Sequence, residues 1–221
     1  MYLILAFQGV VYNMDIKNYR NIYFVGIGGI SMSGLAILLK SKGHEVSGSD
    51  IRESALTDKL KSHGINVHIG HDPSNVKGSD LVVYTAAIKQ DNPELVSAKE
   101  LGIPVMDRAS LMGQVMLRYP KTVAVAGSHG KTTATSLISV VLMRAGLDPT
   151  VLVGGEVDIL GGNVRVGSSQ YMVAESCEYQ DSFLKFHPFI GIVLNMEWDH
   201  VDYFKNMDSI KKSFVNFTKL A

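Results

Sequence analysis

AVAGSHGKTTATS, residues 124–136, carries most of the information on the architecture of this chain. It reads as an apolar strand over 122–126, a glycine-bearing turn over 127–130 and a helix that begins at Lys131. Backbone N–H groups of such a turn, and the positive end of the helix dipole, bind phosphate oxygens. A lysine at the end of the turn reaches the β- and γ-phosphates, and the next hydroxyl binds Mg²⁺. The stretch therefore predicts a P-loop that binds a nucleoside triphosphate.

This P-loop is a variant, because the strict pattern has a glycine where this chain has Val125. The alternative is an ordinary glycine-rich turn without a ligand. The order of Gly, Lys and Thr between a strand and a helix favours the nucleotide site. The predicted triphosphate-binding residues are Gly127, Ser128, His129, Gly130, Lys131, Thr132 and Thr133.

Composition excludes several classes of function. Hydrophobic residues make up 46% and charged residues 19%, as in globular proteins. Lys+Arg and Asp+Glu both number 21, so the net charge of zero argues against nucleic acid or a membrane surface as partner. A single cysteine, Cys177, excludes an internal disulfide and favours the cytoplasm. The sequence leaves the oligomeric state open.

The first half of the chain alternates strands and helices. The predicted strands are 21–26, 45–49, 66–69, 81–85 and 104–106, and the predicted helices are 32–42, 56–63, 93–101 and 109–117. This order predicts a parallel sheet with helices on its faces, a Rossmann-like α/β domain. We place its end at Tyr119 and Pro120, so that it covers residues 14–119.

The second predicted domain, residues 120–221, begins with the P-loop strand. Beyond the P-loop helix, the predicted elements are strands at 171–175 and 190–194 and an amphipathic segment at 208–220. The glycine-rich segment 153–169 is predicted to form loops or edge strands. About three strands are few for a doubly wound domain, so we expect this P-loop α/β domain to be incomplete.

Residues 1–13 are apolar but lack a basic start and a clear cleavage site, so a signal peptide is not favoured. They are an extension, either an upstream mis-start before Met14 or a packed extra strand.

A second glycine-rich turn, GIGGISMSG at 26–34, follows the first strand. Its glycines allow a tight turn and the close approach of a diphosphate, and Asp50 ends the next strand where dinucleotide folds place a ribose-binding acid. The strict dinucleotide pattern has glycine where this chain has Ser31. The turn therefore predicts a diphosphate site of another kind better than a nicotinamide site, with a turn that binds nothing as the alternative.

Polar groups follow two strands of the second half. Glu175 ends one strand, and Glu197, Asp199 and His200 follow the next. Carboxylates at the carboxyl edge of a parallel sheet commonly reach Mg²⁺. We therefore expect a metal and phosphate site there rather than a solvated loop. Cys177 is expected to be a small buried hydrophobe, because no activating partner is evident.

These motifs together resemble one family, the Mur ligases of peptidoglycan synthesis. The matching segments, in order, are GIGGISMSGLA (26–36), VSGSD (46–50), AGSHGKTT (126–133), VAESCEYQDSFL (173–184) and NMEWDH (195–200). Family members have a UDP-binding domain, a central ATPase domain and a C-terminal domain. The resemblance implies that this chain supplies the first domain and the first part of the second.

The resemblance implies an ATP- and Mg²⁺-dependent ligase that joins L-alanine to UDP-N-acetylmuramate. The sugar carboxylate would attack the γ-phosphate, and the amine of L-alanine would attack the resulting acyl phosphate. Lys131, Glu175 and His200 would be catalytic, and Thr132, Glu175 and His200 would hold metal. Ser128, Cys177 and Trp198 depart from the usual family residues, but none of these changes removes a phosphate or metal ligand.

On the substrate side, the resemblance implies that backbone amides of Gly28, Gly29, Ile30 and Ser31 wrap the UDP diphosphate. Asp50 would lie near the uridine. The remaining substrate-binding residues implied by the resemblance are His71, Thr85 and Arg108.

Two other classes of function stay open at this point. A nicotinamide-dependent oxidoreductase would use the first turn but leave the P-loop unexplained. The other class is a non-catalytic nucleotide-binding module. We expect the isolated chain to be inactive as a ligase.

Overall fold

The computed structural model describes residues 4–7, 10–13 and 15–221. Two short strands near the start, β1 (Ile4–Phe7) and β2 (Val10–Asn13), pair antiparallel in a sheet of their own. The rest of the predicted extension, residues 1–3 and 8–9, lies outside the described residues.

The first large sheet has five parallel strands in the order β5-β4-β3-β6-β7. Its elements are β3 (Asn21–Val25), α1 (Ile30–Ser41), β4 (Glu45–Asp50), α2 (Ala55–Ser62), β5 (Asn66–Ile69), β6 (Leu81–Tyr84), α3 (Pro93–Glu100), β7 (Val105–Asp107) and α4 (Arg108–Met116). The predicted Rossmann-like unit is confirmed. The strand order reverses between β3 and β6, and ligands of such sheets bind outside the carboxyl ends at this point.

The second large sheet has the order β10-β9-β11-β8-β12, in which only β10 runs antiparallel to its neighbour. Its elements are β8 (Lys121–Ala126), α5 (Lys131–Arg144), β9 (Thr150–Val157), β10 (Gly162–Arg165), β11 (Tyr171–Ser176), β12 (Ile190–Val193) and α6 (Met207–Thr218). Each large sheet takes its strands from one side of the predicted boundary at 119/120. A P-loop α/β unit therefore follows the Rossmann-like one.

Five strands correct the expectation of about three. The prediction for 153–169 is wrong in part, because β9 lies inside the sheet and only β10 is at its edge. Gly154 and Gly155 weaken the strand signal of β9, since glycine in a strand usually marks a close approach. A Cβ on Gly154 would lie 2.7 Å from Oε2 of Glu175. The glycines therefore make room for a carboxylate.

The two units pack directly against each other through α1 and the β9–β10 hairpin. Gly34 of α1 leaves space for Leu152, since a Cβ there would lie 2.9 Å from its Cδ2. The buried Asn163 donates from Nδ2 to the carbonyl of Ile30 at 2.6 Å and to Oγ of Ser33 at 3.0 Å. The carboxyl edges of the two sheets are thereby held in a fixed relation.

The second unit exposes apolar residues in two places. β12 has a strand neighbour only on its β8 side in the described part of the chain. The exposed apolar residues along this edge and on the outer face of α5 are Phe189, Ile190, Val193, Leu194, Leu137 and Val141. None of the helices in the described ranges is long and apolar enough to cross a bilayer.

Candidate nucleotide-binding and active site

The starts of the six α-helices in the described residues fall into two groups. The N-cap side chains of α2, α3, α4 and α6 accept hydrogen bonds from first-turn N–H groups; these residues are Ser54, Asn92, Asp107 and Asn206. The N-caps of α1 and α5 are Gly29 and Gly130, which have no side chain to do so. The first-turn N–H groups of α1 and α5 are therefore left to bind the oxygens of a ligand.

The P-loop has a conformation that requires its glycines. Gly127 has a φ of +147° and Gly130 a φ of +78°, a region that favours glycine. Asn195 holds the loop from the other side. Its Oδ1 accepts from the N–H of His129 at 2.9 Å, and its Nδ2 donates to the carbonyl of His129 at 3.0 Å. The segment after β12 therefore fixes the shape of the loop, a role of Asn195 that the sequence did not indicate.

Lys131 is held at the centre of the loop by buried partners. Its ammonium donates to the carbonyl of Gly127, to the carbonyl of Ser128 at 3.3 Å and to Oε2 of Glu178 at 3.2 Å. The Glu178 side chain is wholly buried, and that of Lys131 is 17% exposed. Sequence reasoning missed Glu178, although it lies three residues after Glu175 in the same motif. Because an unpaired buried carboxylate is costly, Lys131 stabilises this end of the site.

Unsatisfied oxygens gather at the end of β11. Four buried side-chain polar atoms of the described residues lack a hydrogen-bond partner, and three of them are Oε1 of Glu175, Oγ of Ser176 and Oε1 of Glu178. The Thr132 side chain borders the same strand β9 as Glu175, since a Cβ on Gly155 would lie 3.8 Å from its Cγ2. Carboxylate and hydroxyl oxygens fit Mg²⁺.

Within the ranges that the structure describes, no three His, Cys, Asp or Glu side chains form a complete metal site. Mg²⁺ usually binds one or two carboxylates and takes its other ligands from waters and substrate phosphates.

His200 lies beside this cluster with a left-handed φ of +52°. Its Nε2 is 3.9 Å from Oε1 of Glu178, and its ring centre is 4.8 Å from that of Tyr179. Glu197 instead pairs with His129 at 3.2 Å on the exposed side, and Asp199 accepts from the N–H of His200 at 2.7 Å. Of the three groups predicted at this edge, only His200 therefore faces the buried carboxylates.

The first turn differs from the expectation in two contacts. The N–H of Gly28 donates to Oδ2 of Asp50 at 2.9 Å, and the N–H of Gly29 donates to the carbonyl of Gly26 at 3.3 Å. Both amides are thus used within the protein, and Asp50 shapes the turn. The amides of Ile30 and Ser31, at the uncapped start of α1, are the better diphosphate donors.

Two cavities lie between the units. One, of about 240 Å³, brings Ser31 of the first turn to Lys131 and Glu175 of the second unit. The other, of about 490 Å³, is lined by Thr85 and Lys185, among others, and Arg108 borders both. Burial lowers the pKa of Arg108, and the nearby Asp107 carboxylate opposes this effect. Because arginine remains a cation in proteins, Arg108 brings a positive charge to both cavities.

Cys177 also lines both cavities and is partly exposed, which corrects the expectation of a buried hydrophobe. Of His71, Thr85 and Arg108, only His71 lines neither cavity. It lies at the end of β5, against the buried Glu94.

The comparisons with known proteins agree with this geometry. The sequence model of the Mur ligase family, catalytic domain, matches residues 21–120, and that of the Mur ligase middle domain matches residues 125–221. The chain therefore belongs to the Mur ligase family.

Two proteins named UDP-N-acetylmuramate–L-alanine ligase are similar to it over 208 residues, with 60% identity in Caldanaerobacter subterraneus and 56% in Acetivibrio thermocellus. Both matches take in 94% of this chain, but only 45% and 44% of those relatives. The chain thus spans less than half of their length.

Solved structures give the same picture. UDP-N-acetylmuramate–alanine ligase of Thermotoga maritima aligns with a TM-score of 0.84 and 35% identity, over 90% of this chain and 47% of that one. A UDP-N-acetylmuramate:L-alanyl-γ-D-glutamyl-meso-diaminopimelate ligase from Neisseria meningitidis aligns with a TM-score of 0.83 and 28% identity, over 91% of this chain and 68% of that one.

Proposed function

We propose that this chain carries the UDP-sugar-binding unit and the first part of the ATP-binding unit of a ligase that joins L-alanine to UDP-N-acetylmuramate. The observation that carries the proposal is the pair of uncapped glycine helix starts, one bearing Lys131, on either side of a shared cavity. The 56–60% identity to L-alanine ligases favours this substrate pair over that of the Neisseria peptide ligase, at 28%. We assign residues 14–119 to UDP-sugar binding and 120–221 to ATP binding.

In this reaction the loop amides and Lys131 bind and orient the triphosphate. The sugar carboxylate forms a bond to the γ-phosphorus as ADP leaves, and the amine of L-alanine then displaces phosphate and loses a proton. Lys131 exchanges its contacts with the carbonyl of Gly127 and with Glu178 for phosphate oxygens, so that a cation meets the charge as it develops. Ser31 and Arg108 would bind the sugar nucleotide at the same cavity.

Thr132, Glu175 and His200 are the residues that would hold Mg²⁺, with Glu178 beside them, and the ion supplies neutralisation of phosphate charge. The unsatisfied oxygens of Glu175 and Glu178 support this assignment. The carboxylates also keep the P-loop end of the cavity polar.

We further propose that the 221-residue chain binds both nucleotides but does not complete ligation alone, and that it acts in the cytoplasm. The exposed apolar edge of β12 and the 44–45% coverage of its relatives support the first point. A single free cysteine supports the second.

Calorimetry on the 221-residue chain tests the proposal. We expect binding of UDP-N-acetylmuramate and of ATP with Mg²⁺, no binding of NADH, and no phosphate release when L-alanine is added. Binding of NADH without UDP-N-acetylmuramate would overturn the proposed substrate, and substrate-dependent phosphate release would overturn the proposed division of labour.

A further inference from the structure

Glu94 is a buried carboxylate that the proposed site does not yet use. It lies in the first turn of α3, and its side chain is fully buried. Its Oε1 accepts hydrogen bonds from the hydroxyl of Tyr23 at 2.8 Å and from Nδ2 of Asn75 at 2.9 Å. Its Oε2 accepts from the hydroxyl of Ser49 at 2.5 Å and contacts Nδ1 of His71 at 2.8 Å. Four groups from four segments of the chain thus converge on one carboxylate.

These contacts fix the protonated nitrogen of His71. Oε2 of Glu94 already accepts from the hydroxyl of Ser49, so Nδ1 of His71 is the donor in its contact with the same oxygen. Burial, together with Glu94, raises the pKa of Tyr23, which keeps its hydroxyl protonated as a donor to the same group. Nε2 of His71 has no partner within residues 15–221, and 14% of the side chain is exposed. The nitrogen left for a ligand is therefore Nε2.

The ring lies at the edge of the sheet where ligands of this fold bind. His71 follows Gly70, whose N–H donates to the carbonyl of Asp50 at 2.8 Å. The carboxylate of Asp50 in turn accepts from the N–H of Gly28 in the first turn at 2.9 Å. The ends of β3, β4 and β5 are thus joined by hydrogen bonds, and His71 belongs to the same carboxyl edge as the diphosphate-binding turn.

Packing alone does not account for this cluster. Burying a carboxylate costs free energy, and apolar groups of similar volume often stabilise a fold as well or better. The neighbouring buried cluster is apolar, with Val25 and Val82 from the sheet and Leu95 from α3. The Glu94 carboxylate, buried among these apolar residues, serves to orient the His71 imidazole, which reaches the surface.

We propose that Glu94 is a positioning residue that holds His71 as its Nδ1–H tautomer, so that Nε2 forms a hydrogen bond with the nucleoside diphosphate of the substrate. The inference rests on the proposed function, since it concerns the half of the chain assigned to the UDP-sugar. Glu94 acts only through His71 and does not contact the ligand.

The test uses the 221-residue chain with UDP and uridine as probes in calorimetry, and ¹⁵N chemical shifts of His71 as the tautomer readout. In Glu94→Gln, one acceptor oxygen and an NH₂ group replace two acceptor oxygens, so Nδ1 of His71 loses its carboxylate acceptor and keeps only the contact with Oγ of Ser49 at 3.0 Å. We expect a changed tautomer population and UDP affinity about tenfold weaker, the usual effect of losing such an orienting contact. Loss for both probes assigns the contact to the nucleoside, and loss for UDP alone assigns it to the diphosphate.

Tyr23→Phe is the matched control, because it removes a donor to the other oxygen of Glu94 and leaves the contact with His71 in place. We expect this variant to keep the Nδ1–H tautomer and UDP affinity within about twofold of the unaltered chain. Equal weakening in Tyr23→Phe and Glu94→Gln would show a merely structural cluster and overturn the proposal.

His71→Asn keeps the proposal testable if Glu94→Gln does not fold. The asparagine amide can still donate to Glu94, but the variant lacks Nε2, so we expect the same tenfold loss and no further loss in the double variant. UDP affinity like that of the unaltered chain would overturn the proposal. Absence of UDP binding by the unaltered chain would instead overturn the proposed function, whereas an unchanged tautomer in Glu94→Gln would overturn the role of Glu94 alone.

Discussion

The two glycine-rich turns of this molecule share one backbone plan and differ in charge. Each turn follows an interior strand with a parallel neighbour on either side, β3 or β8. Each also begins a helix without a side-chain cap, α1 after Gly29 and α5 after Gly130. In the first turn a carboxylate, Asp50, accepts an N–H of the turn. In the second a cation, Lys131, lies against the carbonyl of Gly127 and the buried Glu178.

This difference explains how one kind of turn serves two ligands. An anion at the first turn meets amides and the helix dipole, which suits a diphosphate that is held but does not react. At the second turn the Lys131 cation, balanced by Glu178, can exchange these contacts for phosphate oxygens as charge develops during phosphoryl transfer. The predictions below test this contrast, from the largest expected effect to the smallest.

Lys131→Ala should weaken ATP binding about 100-fold, because it removes a charge-assisted hydrogen bond at a largely buried site. It should also lower the free energy of unfolding by about 3 kcal/mol, since Glu178 is left as an unpaired buried carboxylate. Calorimetry with ATP and Mg²⁺, and denaturant unfolding, measure the two effects.

The double variant with Glu178→Gln separates these two effects of Lys131. It should recover most of the stability but none of the ATP affinity, because the unpaired charge is gone and the phosphate ligand is still missing. Recovered ATP binding in the double variant would contradict the assignment of Lys131 to the phosphates.

Gly154→Ala should weaken binding of ATP in the presence of Mg²⁺ by about tenfold, a cost of about 1.4 kcal/mol. The new Cβ would lie 2.7 Å from Oε2 of Glu175 and displace that carboxylate. Calorimetry with Mg²⁺ and with EDTA measures the effect, which should vanish in EDTA.

Gly155→Ala is the control, because its Cβ would meet only Cγ2 of Thr132 at 3.8 Å. Neither glycine has a positive φ, so both accept alanine without backbone strain. Equal losses in the two variants would show that Glu175 takes no part in metal binding.

β9 also shows what the sequence could and could not predict. Hydrophobic periodicity and helix stop signals place the elements of the first unit well, since those signals are local. The glycines of β9 hid a strand, because a close approach between Gly154 and Glu175 depends on the neighbouring strand β11. Local patterns do not report such a contact.

The site shows the same limit. The motifs identified Lys131, Glu175 and His200 as candidates, and the structure brings Lys131 and His200 to a buried carboxylate, Glu178, that no motif indicated. Likewise, the contact between Gly28 and Asp50 joins two strand ends 22 residues apart. Spacing predicts which groups share a sheet edge, but the choice of partners follows from side-chain packing across that edge.

Gly28→Ala should weaken UDP binding about fivefold, because a Cβ at Gly28 would lie 2.7 Å from Oδ2 of Asp50 and break the hydrogen bond that shapes the first turn. A hydrogen bond from a neutral N–H to a charged carboxylate contributes about 1.5 kcal/mol or more. Partial relaxation of the turn reduces the loss of UDP affinity. Calorimetry with UDP measures the effect.

Gly29→Ala is the matched control, because the nearest neighbour of its Cβ would be 3.6 Å away and its φ of −67° suits alanine. It should bind UDP within about twofold of the unaltered chain. A larger loss in Gly29→Ala than in Gly28→Ala would mean that Asp50 does not shape the turn.

The smallest effect concerns a contact between the two units. His187 of the second unit packs beside α4 of the first, since a Cβ on Gly113 would lie 3.6 Å from its Cδ2. Burial lowers the pKa of His187 below its ordinary value. As the pH falls through the ordinary histidine value of about 6.5, His187 binds a proton in the unfolded chain before it does in the folded one. The free energy of unfolding therefore decreases until the lowered pKa is passed.

His187→Gln should therefore flatten the profile of unfolding free energy against pH on the acid side of pH 6.5, as measured by urea unfolding at a series of pH values. A profile that stays equally steep in His187→Gln would place the titrating group elsewhere and leave the interface between the units independent of pH.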